Sequence, residues 1–254
     1  MLSLFRSGAA RAPETQFFDV AFAGETHRVA VKRVAAARRI TLRVRSATRD
    51  VVLTLPARGS IAAAREFAER HGAWIGARLK RLPQPVVFTP GAVIPVRGVD
   101  HVILHRPGAR GLISVEAFGA GGLALCVPGA EPHVERRVTD YLRREARRDI
   151  EAAVRHHTAA IGAPARSVTL RDTTSRWGSC SSTGALNFSW RLVMAPAFVL
   201  DYLAAHEVAH LVHMNHSQRF WKLTRRLSPD TDRAEAWLKA HGPDLHRFGA
   251  GGAQ

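Results

Sequence analysis

The segment Ala204–Trp221, AAHEVAHLVHMNHSQRFW, constrains this chain more than any other. It places four histidines and one glutamate between positions 206 and 216, on a stretch that otherwise reads as a buried apolar helix. Burying polar groups without partners costs roughly 2–7 kcal/mol each, so the fold must supply partners. His206, Glu207 and His210 form H-E-x-x-H. On a helix of about 3.6 residues per turn, positions i and i+4 lie about 40° apart. Two imidazoles on that face can ligate one Zn²⁺, and the adjacent glutamate can reach a metal-activated water as a general base. With 13 histidines in 254 residues, the pattern arises by chance only about 0.03 times.

A zinc site with catalytic use has three protein ligands and one open position. Three residues are candidates for the third ligand. His213 lies one turn beyond His210, about 4.5 Å along the axis, so a straight helix would hold the histidines in a row that closes poorly on a tetrahedral ion. Glu235, 25 residues past His210, is spaced as in glutamate-ligand zinc peptidases. His216 would point away from an unbroken helix and becomes a ligand only where the helix ends first. Asn215 can adopt the left-handed conformation that terminates helices, and Ser217 can cap the next one. H-E-x-x-H-x-x-x-x-x-H also has the spacing of three-histidine zinc peptidases, with His213 where the metzincin type carries glycine.

The remaining pattern is α+β. Residues 17–56 alternate apolar with polar or basic side chains, with turns at Gly24 and at 46–50. Ser60 caps a helix predicted to run to Leu82, with Gly72 and Gly76 as weak points. Residues 83–129 read as short strands broken by Pro and Gly. Pro132 opens a long helix with an apolar stripe of Val134, Val138, Tyr141, Leu142, Ile150 and Val154, stopped at Gly162. His156 and His157 read as surface residues. SVTLRD is a strand. Residues 175–192 read as a hairpin turning at 182–184, with Leu186, Phe188, Trp190 and Leu192 on one face. Pro196 opens the histidine-bearing helix, and further helices start near Ser217 and over 233–241. The predicted organisation is a poorly ordered start (1–16), a β-rich N-terminal region with one helix (17–130), a metal-site domain (131–246) and a disordered tail (247–254). No internal repeat is evident.

Cys126 and Cys180 are too few for a disulfide framework and fit a reducing, cytoplasmic setting. No run of eighteen apolar residues suggests a membrane span, and the start does not pattern as a signal peptide. The formal net charge is +16. Such charge suits nucleic acid or nucleotides, but an Arg- and Ala-rich composition also arises from GC-rich coding.

SRWGSCSSTGALNFSWRL followed by YLAAHEVAHLVHMNHSQRFW resembles the YgjP-like metallopeptidases, relatives of the SprT-like proteases. RRITLRVRSATRDVVLTLP and AWIGARLKRL share the resemblance, which covers roughly residues 20–245. It implies a zincin-like fold, an active-site helix beside a small antiparallel sheet, zinc on His206, His210 and His216, and Glu207 as the catalytic glutamate. The hairpin then becomes the sheet edge beside that helix, where an extended peptide could pair through its backbone. Arg176, Trp177, Gly178, Ser179, Cys180 and Asn187 are its candidate cleft residues. Arg176 could stabilise an oxyanion or be structural; no base stands beside Cys180 to make it a nucleophile. Two other classes remain open: a metal-dependent nucleoside triphosphate pyrophosphatase, against which stands the lack of a glycine-rich phosphate loop, and a basic nucleic-acid module with structural zinc.

Overall fold

A tight hairpin opens the fold. The computed structural model describes residues 16–45 and 48–249. In it, β1 (Gln16–Phe22) and β2 (Glu25–Val34) pair antiparallel through Ala23 and Gly24. Both turn residues have positive φ, 49° and 79°, the type I′ geometry whose twist suits a two-residue hairpin. β3 (Thr41–Val44) and β4 (Val51–Pro56) complete a sheet of order β1-β2-β4-β3, with β2 and β4 parallel. Its inner face, Phe18, Val20, Val29, Val31, Leu53 and Leu55, packs with Ala64, Ala68 and Ile75 of two short helices. These are α1 (Ile61–Arg70) and α2 (Gly72–Lys80). Ser60 caps α1 by accepting from the Ala63 N–H at 3.1 Å. The single helix predicted to Leu82 breaks at His71. Gly72 is a packing point there, since a Cβ on it would stand 3.0 Å from Cβ of Phe22.

The next four strands repeat this topology. β5 (Val93–Val96), β6 (Val99–Arg106), β7 (Ser114–Phe118) and β8 (Gly122–Pro128) form a sheet of order β5-β6-β8-β7, with β6 and β8 parallel and the other pairs antiparallel. Its first turn, Arg97–Gly98, has φ of 52° and 77°. Buried His27 and His101 each follow the turn glycine by three residues, and they pair in register with Val20 and Ile94. The duplication is thus one of backbone register, and it leaves few identities for a sequence comparison to find.

Beyond it, α3 (Val134–Ile161) buries the predicted stripe and stops at Gly162 in the left-handed conformation, φ 66°. His157 is also buried, not on the surface: its Nε2 lies 2.9 Å from Oδ1 of Asp201. β9 (Ser167–Arg171), β10 (Gly178–Cys180) and β11 (Ala185–Ser189) form the sheet β10-β11-β9. The predicted antiparallel sheet is mixed, because β11 takes β10 antiparallel on one side and β9 parallel on the other. Trp190–Met194 forms a 3-10 turn instead of continuing β11. Then come α4 (Ala197–Ala209), α5 (Gln218–Leu227) and α6 (Thr231–His241).

The chain divides into two compact units, Met1–Pro83 and Gln84–Gln254. The boundary predicted near residue 130 falls inside the second unit, because Ile103, Leu125 and Val127 share one core with Leu142, Phe188, Val199 and Val208. Of the ends expected to lack order (1–16 and 247–254), Gln16 opens β1, Arg247 ends a 3-10 turn, and Phe248 and Gly249 pair with Val86, while 1–15 and 250–254 lie outside the described residues. No helix among the described residues is long and apolar enough to cross a membrane.

Candidate metal centre

Two contacts fix where α4 begins. The β5–β6 turn docks on the preceding 3-10 segment: Arg97 N–H donates to Val193 O at 2.6 Å and Gly98 N–H to Met194 O at 3.2 Å. Arg97 is held in turn by Asp149 (Nε to Oδ2, 2.7 Å) and Glu145 (Nη2 to Oε2, 2.8 Å) of α3. Pro196, at the N-cap, opens the helix as predicted.

α4 ends at Ala209, six residues before Asn215, and Asn215 does not adopt the left-handed conformation. The last turn tightens instead. Leu211 N–H donates to Val208 O and Val212 N–H to Ala209 O, both 3-10 bonds that satisfy terminal carbonyls. His210 Nδ1 donates to His213 O at 3.0 Å and closes the turn. Ser217 caps α5, its hydroxyl accepting from Phe220 N–H. His216 therefore swings back over α4.

His206, His210 and His216 each offer a ring nitrogen within 4.8 Å of the other two. Nε2 of His206 and Nε2 of His216 are 3.2 Å apart. Lone-pair nitrogens at that distance either share a proton or bind a common cation. Two of the rings are oriented from behind. His210 commits Nδ1 to a carbonyl, so Nε2 carries the lone pair. Tyr202 donates its hydroxyl to Glu235 Oε1 at 2.9 Å, leaving its oxygen to accept from His206 Nδ1 at 3.2 Å. Glu235 thus stands behind the cluster, outside the three-residue group. Phe220, fully buried, stacks on His210 at 4.5 Å and meets the other two rings edge-on. Burial, with the neighbouring His210 and His216, pushes His206 down to about 4, so it is a neutral donor.

Glu207 is buried and turned to β10, with Oε2 lacking a hydrogen-bond partner among the described residues. Burial raises its pKa to about 7, opposed by the positive charge of Arg176. Gly178 lies against it. A Cβ on Gly178 would collide with the Glu207 carboxylate and stand 2.8 Å from Cγ and Cδ.

The other hairpin residues sort by strand parity. Gly178 and Cys180 face α4, whereas Ser179 and Asn187, partners in register, face the opposite way. The Cys180 thiol is pushed up by burial and by Glu207, which favours the unreactive thiol form. Trp177 is half-buried and stacks on His246 at 4.8 Å. Arg191 ties the same corner together. It donates to both oxygens of Asp172 and to the carbonyls of Leu245 and Phe248. Arg176 is exposed. Sequence reasoning missed Tyr202 and Phe220. Tyr202 was recoverable, since it precedes His206 by one helical turn on the same face.

The model of the YgjP-like metallopeptidase domain matches residues 38–241. This chain belongs to the YgjP-like metallopeptidase family. At family level the activity is that of a metal-dependent peptidase. No curated protein matches the sequence. Among solved structures, the zymogen of the Pyrococcus abyssi metallopeptidase abylysin aligns with 39% of this YgjP-like chain and 97% of its own, at 21% identity and a TM-score of 0.34.

Proposed function

We propose that this YgjP-like chain is a zinc peptidase in which His206, His210 and His216 hold the ion and Glu207 moves protons. The convergence of three imidazole nitrogens beside one buried carboxylate carries this reading. The donor set fits zinc. Nitrogen donors about 2.0–2.1 Å from a tetrahedral ion stand roughly 3.4 Å from one another, and three such ligands leave one open position. The partners behind His206 and His210 hold the rings in the tautomer a metal needs. Bound zinc supplies Lewis acidity, polarising a carbonyl and lowering the pKa of a nearby water.

The chain's own groups do the rest. Glu207, with a pKa near neutrality, takes the proton of the attacking water and delivers it to the leaving nitrogen. β10 has one edge unpaired among the described residues, and an extended peptide can add there by backbone hydrogen bonds beside Glu207. Arg176, whose charge reaches the Glu207 carboxylate, is a candidate to steady a developing oxyanion. The substrate is a peptide or protein segment that can lie extended. Both cysteines are free, which suits a reducing cytoplasm.

Metal analysis with peptide hydrolysis tests the assignment. Glu207→Gln retains about one zinc per chain and loses roughly 10²–10⁴ in rate. His216→Ala falls well below one zinc. Wild-type hydrolysis by Glu207→Gln, or stoichiometric tight zinc in His216→Ala, would sink it.

A further inference from the structure

We propose that the outer face of the β1–β4 sheet binds the backbone of single-stranded nucleic acid. Charge is the first observation. Residues 1–83 carry 16 Lys and Arg against 6 Asp and Glu, and residues 84–254 carry 21 against 15. A third of the chain thus holds +10 of the net +16. Coding bias acts on the whole chain and does not explain that asymmetry.

Placement is the second. Strand alternation sends Val29 and Val31 inward, and Arg28 and Lys32 of β2 and Arg43 of β3 outward. Arg28 and Lys32 are about 13 Å apart along the strand, and Arg43 lies roughly 10 Å across the sheet. Arg28, Lys32, Arg33 and Arg45 line a concavity of about 760 Å³ with Phe17 and Asp50. Among the described residues none of these cations, nor Arg43, forms an ion pair within 4.0 Å. Arg33 donates to the carbonyls of Ala57 and Gly59 and keeps its charge. The carboxylates on this face are Asp19, opposite Arg28 in register, and Asp50, which accepts from the Thr48 hydroxyl.

The duplicated sheet is an internal control. By register, its residues at the places of Arg28 and Arg43 are Val102 and Ser114, while Lys32 corresponds to Arg106. The topology therefore does not demand the two arginines. Phe17 favours a single strand over a duplex: the residue is 53% exposed and its ring carries the Arg28 guanidinium at 4.6 Å. Cations that follow a backbone beside an aromatic ring on which bases stack are the elements of single-strand recognition.

The test is fluorescence anisotropy of the full chain with labelled 20-nucleotide oligo-dT and oligo-U across a salt series. Arg28→Ala/Lys32→Ala/Arg43→Ala is compared with Arg70→Ala/Arg78→Ala/Arg81→Ala, which removes equal charge from α1, α2 and the end of α2. The outer-face triple weakens binding tenfold or more and lowers the salt slope by about 2, at roughly 0.7 per lost phosphate contact. The helix-side triple changes affinity by less than threefold. Phe17→Ala weakens binding several-fold at unchanged slope. If the outer-face triple fails to fold, Arg28→Glu gives the same readout. Absence of binding at 50 mM salt, equal losses in both triples, or tighter capture of phosphatidylserine vesicles or duplex than of oligo-dT overturns the proposal. Chelator and Glu207→Gln leave binding unchanged, so the result is independent of the zinc reading.

Discussion

Gly178 packs so closely on Glu207 that no side chain fits at this position of β10. The WGSC segment is thereby tied to the helix that carries the histidine cluster through a missing Cβ. Gly178→Ala must move the carboxylate, the strand, or both. Displacement of a catalytic group by about 1 Å costs roughly 100-fold in rate, so we expect kcat/KM to fall by about that factor while zinc content stays near wild type. Assaying peptide hydrolysis and bound zinc together checks this. Unchanged kcat/KM would show that the contact relaxes without consequence.

The histidine cluster was legible because helical periodicity is arithmetic. His206 and His210 share a face in any helix, and Ser217 caps α5 as its residue type suggests. The end of α4 was not legible from Asn215. It is made by 3-10 bonds at 211 and 212 and by a side-chain bond from His210 to His213 O, which are tertiary and cooperative choices. Strand parity in β10 depends on one residue of register, so no composition argument could separate Gly178 and Cys180 from Ser179 and Asn187. The sheet duplication was hidden for a similar reason. Inward positions need only be apolar, and Val29 and Ile103 meet that need equally.

Tyr202 links Glu235 to His206 through one hydroxyl. Tyr202→Phe keeps the ring and removes both bonds, freeing the His206 tautomer and leaving Glu235 without its partner. Partners of this kind are worth roughly 10–100-fold in metal affinity. Titration against a competing chelator should show a loss in that range, with the thermal midpoint little changed. Wild-type zinc affinity would assign Tyr202 a packing role only.

His246 gives the second unit an acid sensitivity of its own. Burial and the neighbouring Arg191 push it down to about 4 from an ordinary 6.5, against the partial help of Asp172. The folded pKa is the lower one, so the unfolded chain takes up a proton first as pH falls. The stabilisation is present above pH 6.5 and drains away between pH 6.5 and about 4. Between pH 7 and 5 this contributes up to roughly 2 kcal/mol. Urea unfolding at the two pH values should therefore show a smaller acid loss for His246→Phe, which keeps the stack on Trp177 and cannot titrate. Identical pH dependence in variant and wild type would remove His246 as a source.

The paired turns allow a controlled comparison of backbone strain with packing. Gly24 and Gly98 have nearly the same φ, 79° and 77°. Alanine at either place pays the left-handed penalty of about 1 kcal/mol. Around Gly24 there is open space, whereas a Cβ at Gly98 would lie 2.9 Å from Cγ of Pro196 and 3.0 Å from its Cα. Pro196 starts the helix that carries His206, Glu207 and His210 at its far end. Gly98→Ala adds a clash of about 1–3 kcal/mol to the strain, and it pushes on α4 itself. We expect Gly24→Ala to lower stability by about 1 kcal/mol with full peptidase rate and zinc content. Gly98→Ala should lower it by roughly 2–4 kcal/mol and reduce the rate as well. Denaturant midpoints and hydrolysis rates on the two variants decide the matter, and equal effects would mean that the β5–β6 turn does not position the active helix.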